Sequence, residues 1–241
     1  MPDLYASLDG RVSTSIETSW SNARDDTSGT VYSTESASSV FIEVARFASR
    51  GGGNTYRIAR SFMYFDTSGI TGTVSAATIK IRGYSANDAS IIALKSTAYG
   101  GDGGTALASG DFDAITGWTT GASAESSVTK YSNTITSGSW STSGYNDLTG
   151  TSDLRADMQN NNAVIICFID YTHDLLNSAL TSNGQDNIGA YYTNYSGTSR
   201  DPYIEYTVAT GYGNTVNGVA AASIGKINGV ATASISKVNG I

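Results

Sequence analysis

Cysteine, histidine and proline are nearly missing from this 241-residue chain, which has one Cys, one His and two Pro. A single Cys cannot close a disulfide within the chain, and with one His it cannot complete a zinc site of the usual Cys/His kind. Charge is scarce too, at 15% of residues, and the basic share is the smaller one: 14 Lys and Arg against 21 Asp and Glu, a formal net charge of −7. Nucleic acid and anionic membranes both demand a basic face, so neither is expected as a partner. No apolar run reaches the length of a membrane span. The opening Met1-Pro-Asp-Leu-Tyr-Ala-Ser-Leu-Asp9 has no basic n-region and no apolar h-region, so the expectation is a chain made without a secretory signal.

What the chain does contain is Gly (27), Tyr (15), Ser, Thr, Val and Ile, the composition of strands joined by tight turns. In Tyr56-Arg-Ile-Ala-Arg-Ser-Phe-Met-Tyr-Phe-Asp66 both alternating faces are substantially apolar or aromatic, as in a central strand covered on two sides. Thr73 to Tyr84 alternates more cleanly, with Ile79 and Ile81 opposite Lys80 and Arg82. Residues 39–47, 90–99, 127–135, 163–170, 188–194 and 203–208 also read as strands, and 151–160 as one short helix capped by Thr151 or Ser152. Cys167, within Ala163-Val-Ile-Ile-Cys-Phe-Ile169, reads as a small buried hydrophobe. Together these predict an all-β protein, an antiparallel jelly-roll β-sandwich over residues 1–209, with a barrel as the alternative.

From residue 210 to 241 the chain repeats itself. Val216-Asn-Gly-Val-Ala-Ala-Ala-Ser-Ile-Gly-Lys226 is followed by Ile227-Asn-Gly-Val-Ala-Thr-Ala-Ser-Ile-Ser-Lys237 and Val238-Asn-Gly-Ile241, a period of eleven. Asn-Gly between β-branched residues is a strong hairpin signal, because a type I′ turn needs positive φ at both central positions. Two repeats and a fragment bury no core of their own. The expectation is a short β-hairpin repeat tail that makes assembly contacts through Val216, Val219, Ile224, Ile227, Val230, Ile235, Val238 and Ile241, by adding strands to other copies or to a partner.

Candidates for chemistry are few. His173 lies between carboxylates in Asp170-Tyr-Thr-His-Asp174, but no Gly-x-Ser-x-Gly elbow accompanies it, so it reads as a loop histidine. Gly100-Gly-Asp-Gly-Gly104 is a fragment of a calcium-binding nonapeptide, which leaves a loop Ca²⁺ open; no other cofactor is expected. Gly51-Gly-Gly53 lacks the Lys-Ser/Thr end of a phosphate loop. Trp20, Trp118 and Trp140 lie in polar, turn-rich surroundings, as do Tyr191, Tyr192 and Tyr195. Of these, Trp118, Trp140, Tyr191, Tyr192 and Tyr195 are the candidate glycan contacts, since flat aromatic faces stack on sugar rings.

Two blocks resemble a known family. Arg60-Ser-Phe-Met-Tyr-Phe-Asp-Thr-Ser-Gly-Ile70 with Val74-Ser-Ala-Ala-Thr-Ile-Lys-Ile81, and Tyr195-Ser-Gly-Thr-Ser-Arg-Asp-Pro-Tyr-Ile-Glu-Tyr206, look like the hallmark and closing strands of DNRLRE-type β-sandwich modules. Trp118 stands alone where such modules have a Trp-rich middle. The Asn-Gly-Val repeats resemble carboxy-terminal repeats of phage structural proteins. The resemblance implies a non-enzymatic virion structural protein of a tailed bacteriophage: a fibre, tail adhesin or capsid decoration, homo-oligomeric and by analogy trimeric, in contact with other virion proteins. A carbohydrate-binding module for a cell-surface glycan is the alternative reading, and a glycan-degrading domain a third.

Overall fold

The computed structural model describes residues 2–32, 38–209, 225–227 and 229–231. Its elements in chain order are β1 (Asp3–Tyr5), β2 (Leu8–Ser13), α1 (Trp20–Arg24), β3 (Thr30–Tyr32), β4 (Ser38–Ala48), β5 (Asn54–Asp66), β6 (Val74–Asn87), β7 (Ser90–Lys95), β8 (Ile135–Thr136), β9 (Tyr145–Thr149), α2 (Ser152–Asn160), β10 (Ala163–Asp170), β11 (Gly184–Tyr191), β12 (Tyr203–Val208), β13 (Lys226–Ile227) and β14 (Val230–Ala231). The named strand pairs are all antiparallel, and the molecule is an all-β sandwich of jelly-roll type, as its composition predicts. Among the described residues no helix is long and apolar enough to cross a membrane.

An outer sheet runs β1-β12-β6-β9, and a larger central sheet runs from the end of β6 through β11, β4, β5, β10 and β7 to β8, with β2 paired to β5. Strand β6 belongs to both sheets. Its residues 74–82 pair with β12 and β9, and from Gly83 it pairs with β11. The crossing needs glycine, because a Cβ at Gly83 would sit 1.9 Å from the Ser141 carbonyl oxygen and 2.6 Å from Trp140 Nε1. On the facing strand, a Cβ at Gly189 would sit 2.3 Å from Ser85 Oγ. The register slips beside it, so the corner is built from two bulges.

The central sheet is buried on both faces, which explains why its strands read as near-continuous apolar runs. Along β10, Val164, Ile166 and Phe168 point toward the outer sheet and pack with Ile79, Ile81, Leu148 and Ile204. Ile165, Cys167 and Ile169 enter a second core with Phe62, Leu94 and Val44. That second core is roofed by α1 and by Tyr99, Leu107, Phe112 and Ile115 from the long β7–β8 connection. Each fully buried Leu, Ile or Phe contributes about 1.5–3 kcal/mol, so the roof is a structural layer and not a decoration. Cys167 is fully buried, as expected, and burial pushes its thiol well up.

Helix α2 forms where Thr151 caps it, accepting from the Leu154 N–H, and its Leu154 and Met158 close one end of the core between the sheets. The stretch 127–135 departs from the predicted strand. Its backbone bonds run to β7 (Tyr131 to Ala93, 2.8 Å; Lys95 to Thr129, 2.9 Å), to β9 (Asn133 to Thr149, 3.2 Å) and to Thr151, so it weaves between partners and forms no ladder of its own before β8. Strand β7 stops at Lys95, and the remainder of the predicted 90–99 strand turns through a 3-10 segment at Tyr99–Gly101.

In the repeat tail, β13 and β14 pair antiparallel, Lys226 with Ala231 and Ile227 with Val230, and Gly229 has the positive φ (80°) of a hairpin turn. Val230 is half exposed. Val216, Val219, Ile224, Ile235, Val238 and Ile241 lie outside the described residues.

Candidate functional site

The side chains that sequence reading singled out have gone to different places. Trp140 is 6% exposed and Tyr192 fully buried; both belong to the core between the sheets. The Tyr192 hydroxyl donates to the Val40 carbonyl and lies 2.7 Å from Ser61 Oγ. Neither ring presents a face to a sugar, which corrects the expectation for these two. Polar neighbours in sequence misled here: turn-rich surroundings locate a residue near a loop but do not say whether its ring turns inward.

Trp118 is half buried in the second core, and its ring is occupied. The guanidinium groups of Arg60 and Arg24 lie 4.2 and 4.3 Å from its centroid, and Arg60 also stands 4.0 Å from the Phe112 ring. Arg60, from the quoted hallmark block, is fully buried. It makes two 2.7 Å bonds to the Asp174 carboxylate and donates to the carbonyls of Phe112 and Arg24. Arg24 donates to the Asp174 and Thr119 carbonyls and pairs with Asp25. This is an interior polar network that ties α1, β5, the roof and the turn after β10 together.

His173 sits in that turn, a single turn of π-helix (Tyr171–Leu175) capped by Asp170. Its Nδ1 lies 2.6 Å from the Ser178 carbonyl and its Nε2 3.0 Å from Asp186. Asp170 accepts from the Ser90 and His173 backbone N–H groups, yet burial pushes its carboxyl up to about 6. The histidine staples a loop, in keeping with its reading as a loop residue. Among the described residues no group of three or more His, Cys, Asp or Glu could hold a metal ion, and Asp102 of the glycine-rich loop is bonded to Gly104 N–H.

Tyr191 and Tyr195, by contrast, are brought together at the surface. Their ring centroids are 5.3 Å apart, edge to face, and Tyr84 (52% exposed) meets Tyr191 in the same way at 5.9 Å. Arg200 lies over both rings, 4.6 Å from Tyr191 and 4.2 Å from Tyr195. The cluster sits at the corner where β6 passes between the sheets. From there the outward side chains of β6 lead back onto the outer sheet: Tyr84, Arg82, Lys80.

On that sheet the register places Lys80 opposite Tyr203 and Asp147, Arg82 opposite Tyr145, and Tyr5 opposite Tyr203. Tyr5 and Tyr203 are 5.4 Å apart, Tyr203 and Tyr145 5.1 Å, and Arg82 lies 5.9 Å from the Tyr145 centroid. The Tyr145 hydroxyl donates to the Asp201 carbonyl, one residue after Arg200, so the 195–203 loop links the two groups of rings. Burial and the neighbouring Tyr203 and Tyr5 push the Tyr145 phenol up to about 12, so it remains a neutral donor at physiological pH. Tyr145 also walls a polar groove of about 540 Å³ lined by Asn133, Thr136, Ser139, Asn146 and Asp147.

The result is a surface of six tyrosines (5, 84, 145, 191, 195 and 203) with two arginines among them; five of the rings and Arg82 are on paired strands, and Tyr195 and Arg200 are on the loop between β11 and β12. Sequence reading found Tyr191 and Tyr195 and missed the rest. The signal was present in the alternation that set Lys80 and Arg82 opposite Ile79 and Ile81, since one further step outward is Tyr84. No known family model matches the chain, and no curated protein matches it in sequence.

Proposed function

We propose that this chain is a non-enzymatic virion structural protein of a tailed bacteriophage, of the adhesin kind, whose sandwich presents a glycan-binding surface and whose repeats assemble it. The observation that carries the binding half is the tyrosine surface over the outer sheet and its corner. Tyrosine rings give flat apolar faces for pyranose C–H groups at low entropic cost, and their hydroxyls and the adjacent amide-lined groove give hydrogen bonds. Holding five of the six rings on paired strands favours recognition, because little ordering is left to be done there on binding. The assembly half is supported by the eleven-residue repeat and by the hairpin at β13–β14 with its half-exposed Val230.

Two measurements test it. Removing residues 211–241 should leave a folded sandwich that sediments as a smaller species than the full chain; identical sedimentation would remove assembly from the tail. Tyr191→Ala should weaken binding on a glycan array tenfold or more without changing the melting temperature by more than a few degrees. A carbohydrate-binding module outside any virion is the second reading, favoured by the same surface; it predicts glycan binding with no change of assembly state on truncation.

A further inference from the structure

We infer that the glycan taken by this surface is acidic, bearing carboxylate or phosphate groups that Arg82 and Arg200 receive. The inference rests on the glycan-binding reading above and names its ligand class.

It starts from a mismatch in pairing. Acidic residues outnumber basic ones by seven (21 against 14), so an arginine here has no shortage of carboxylates to pair with. Six other cations are ion-paired, among them Lys80 with Asp147 at 2.8 Å and Glu205 at 3.4 Å, Arg57 with Glu43, Lys95 with Asp157, and Arg60 with Asp174, while Arg46 and Arg155 donate to backbone carbonyls. Among the described residues the side chains of Arg82 and Arg200 make neither an ion pair nor a hydrogen bond, and Arg82 Nε is buried without a partner. Asp201, next to Arg200 in sequence, is 8% exposed and pairs with neither.

Both arginines are instead held by tyrosine rings, Arg200 by two and Arg82 by one. Packing against a ring fixes a guanidinium through its flat face and leaves its in-plane N–H donors to something else. Those donors fit a carboxylate or phosphate in bidentate geometry, the stronger kind of charge-assisted bond. The same rings are the ones offered to the sugar. A ligand that lays its pyranose face on tyrosine and turns an acidic substituent toward an adjacent guanidinium satisfies both at once. Because the chain as a whole is negative, long-range steering opposes such a ligand; recognition is therefore local, through these two residues and not through a basic field.

The test uses the full chain and two matched pairs of probes: oligogalacturonate with its methyl ester, and phosphomannan with unsubstituted mannan. The acidic member of at least one pair should bind tenfold or more tightly than its neutral counterpart, and which pair discriminates tells carboxylate from phosphate. Arg82→Gln with Arg200→Gln should erase that preference while neutral binding persists. Arg200→Lys should restore only part of it, since an ammonium keeps the charge and loses the planar fork. If the double variant shows no melting transition, Arg200→Gln alone carries the same test. Equal binding of acidic and neutral members by the unaltered chain, or a preference that survives the substitutions, overturns the inference and leaves the glycan reading intact. No binding to any of the four probes overturns the glycan reading and the inference with it.

Discussion

The molecule sets arginine against aromatic rings both in its interior and at its surface, and Arg60 and Arg200, each packed on two rings, show the contrast best. Arg60, in the second core, packs on Phe112 and Trp118, and its donors are taken up by Asp174 and by two carbonyls. Arg200, at the corner, packs on Tyr191 and Tyr195 and has no partner for its donors among the described residues. The ring contact is common to both; the hydrogen bonding separates them. Where every guanidinium nitrogen is met from within, the arrangement joins elements. Where the donors are left over, it is available to a ligand. Between Arg60 and Arg200, hydrogen-bond accounting separates the two roles better than the presence of aromatic residues does.

The comparison breaks first at Asp174. Asp174→Ala leaves Arg60 charged and buried without its anion, and chemical denaturation should show a loss of about 3–5 kcal/mol; a loss below 1 kcal/mol would mean that the interior network is not structural. Replacing both partners together, Arg60→Met with Asp174→Leu, should recover much of that loss.

Next in size is a pH effect from Asp170, which neighbours the network. Its folded carboxyl is raised from 3.8 to about 6, so the folded state holds the proton more tightly than the unfolded chain. Stability should therefore rise as pH falls from about 6 toward 4, by up to roughly 3 kcal/mol for a shift of two units. Asp9 and Asp186, also raised by burial, act in the same direction; Asp157, lowered overall by its bonds to Lys95, Tyr131 and Asn161, acts against it. Urea midpoints measured across this range should slope in the unaltered chain and slope less in Asp170→Asn.

Trp118→Ala removes the plate beneath two interior guanidinium groups. As the ring is half buried, a loss of about 2 kcal/mol is expected, toward the lower end for large-to-small changes. The smallest effect belongs to the surface pair: Arg200→Gln should change the unfolding free energy by less than about 1 kcal/mol, the scale of an exposed cation–π contact. A larger change would place Arg200 with Arg60 as a structural residue and dissolve the contrast.

Much of the fold was legible because strand periodicity is a local property. The long strands β4, β5, β6, β10 and β12 follow from apolar runs and alternation, and α2 from its threonine cap. Strands β1, β2, β3 and β9 did not announce themselves. Leu8-Asp-Gly-Arg-Val-Ser13 and Tyr145-Asn-Asp-Leu-Thr149 carry few apolar residues, and they are strands because β5 and β6 offer them edges. The site was half legible for the same reason. Which rings face outward can be read along one strand, as for Tyr84, but that Tyr5, Tyr145 and Tyr203 meet depends on the pairing of four strands. That Trp118 is covered depends on an arginine 58 positions earlier in the chain.

The only thiol in the chain sits at the centre of β10, with β5 on one side and β7 on the other, and with its side chain under the roof. A reagent for cysteine meets it only when the roof lifts or that strand leaves its sheet. The protein thus carries a built-in clock for its own opening, one that needs no added label and runs at a single position. Because Cys167 is on the face of β10 turned away from the outer sheet, ligand-induced slowing of that clock would measure how far a contact on the outer sheet is felt through the sandwich.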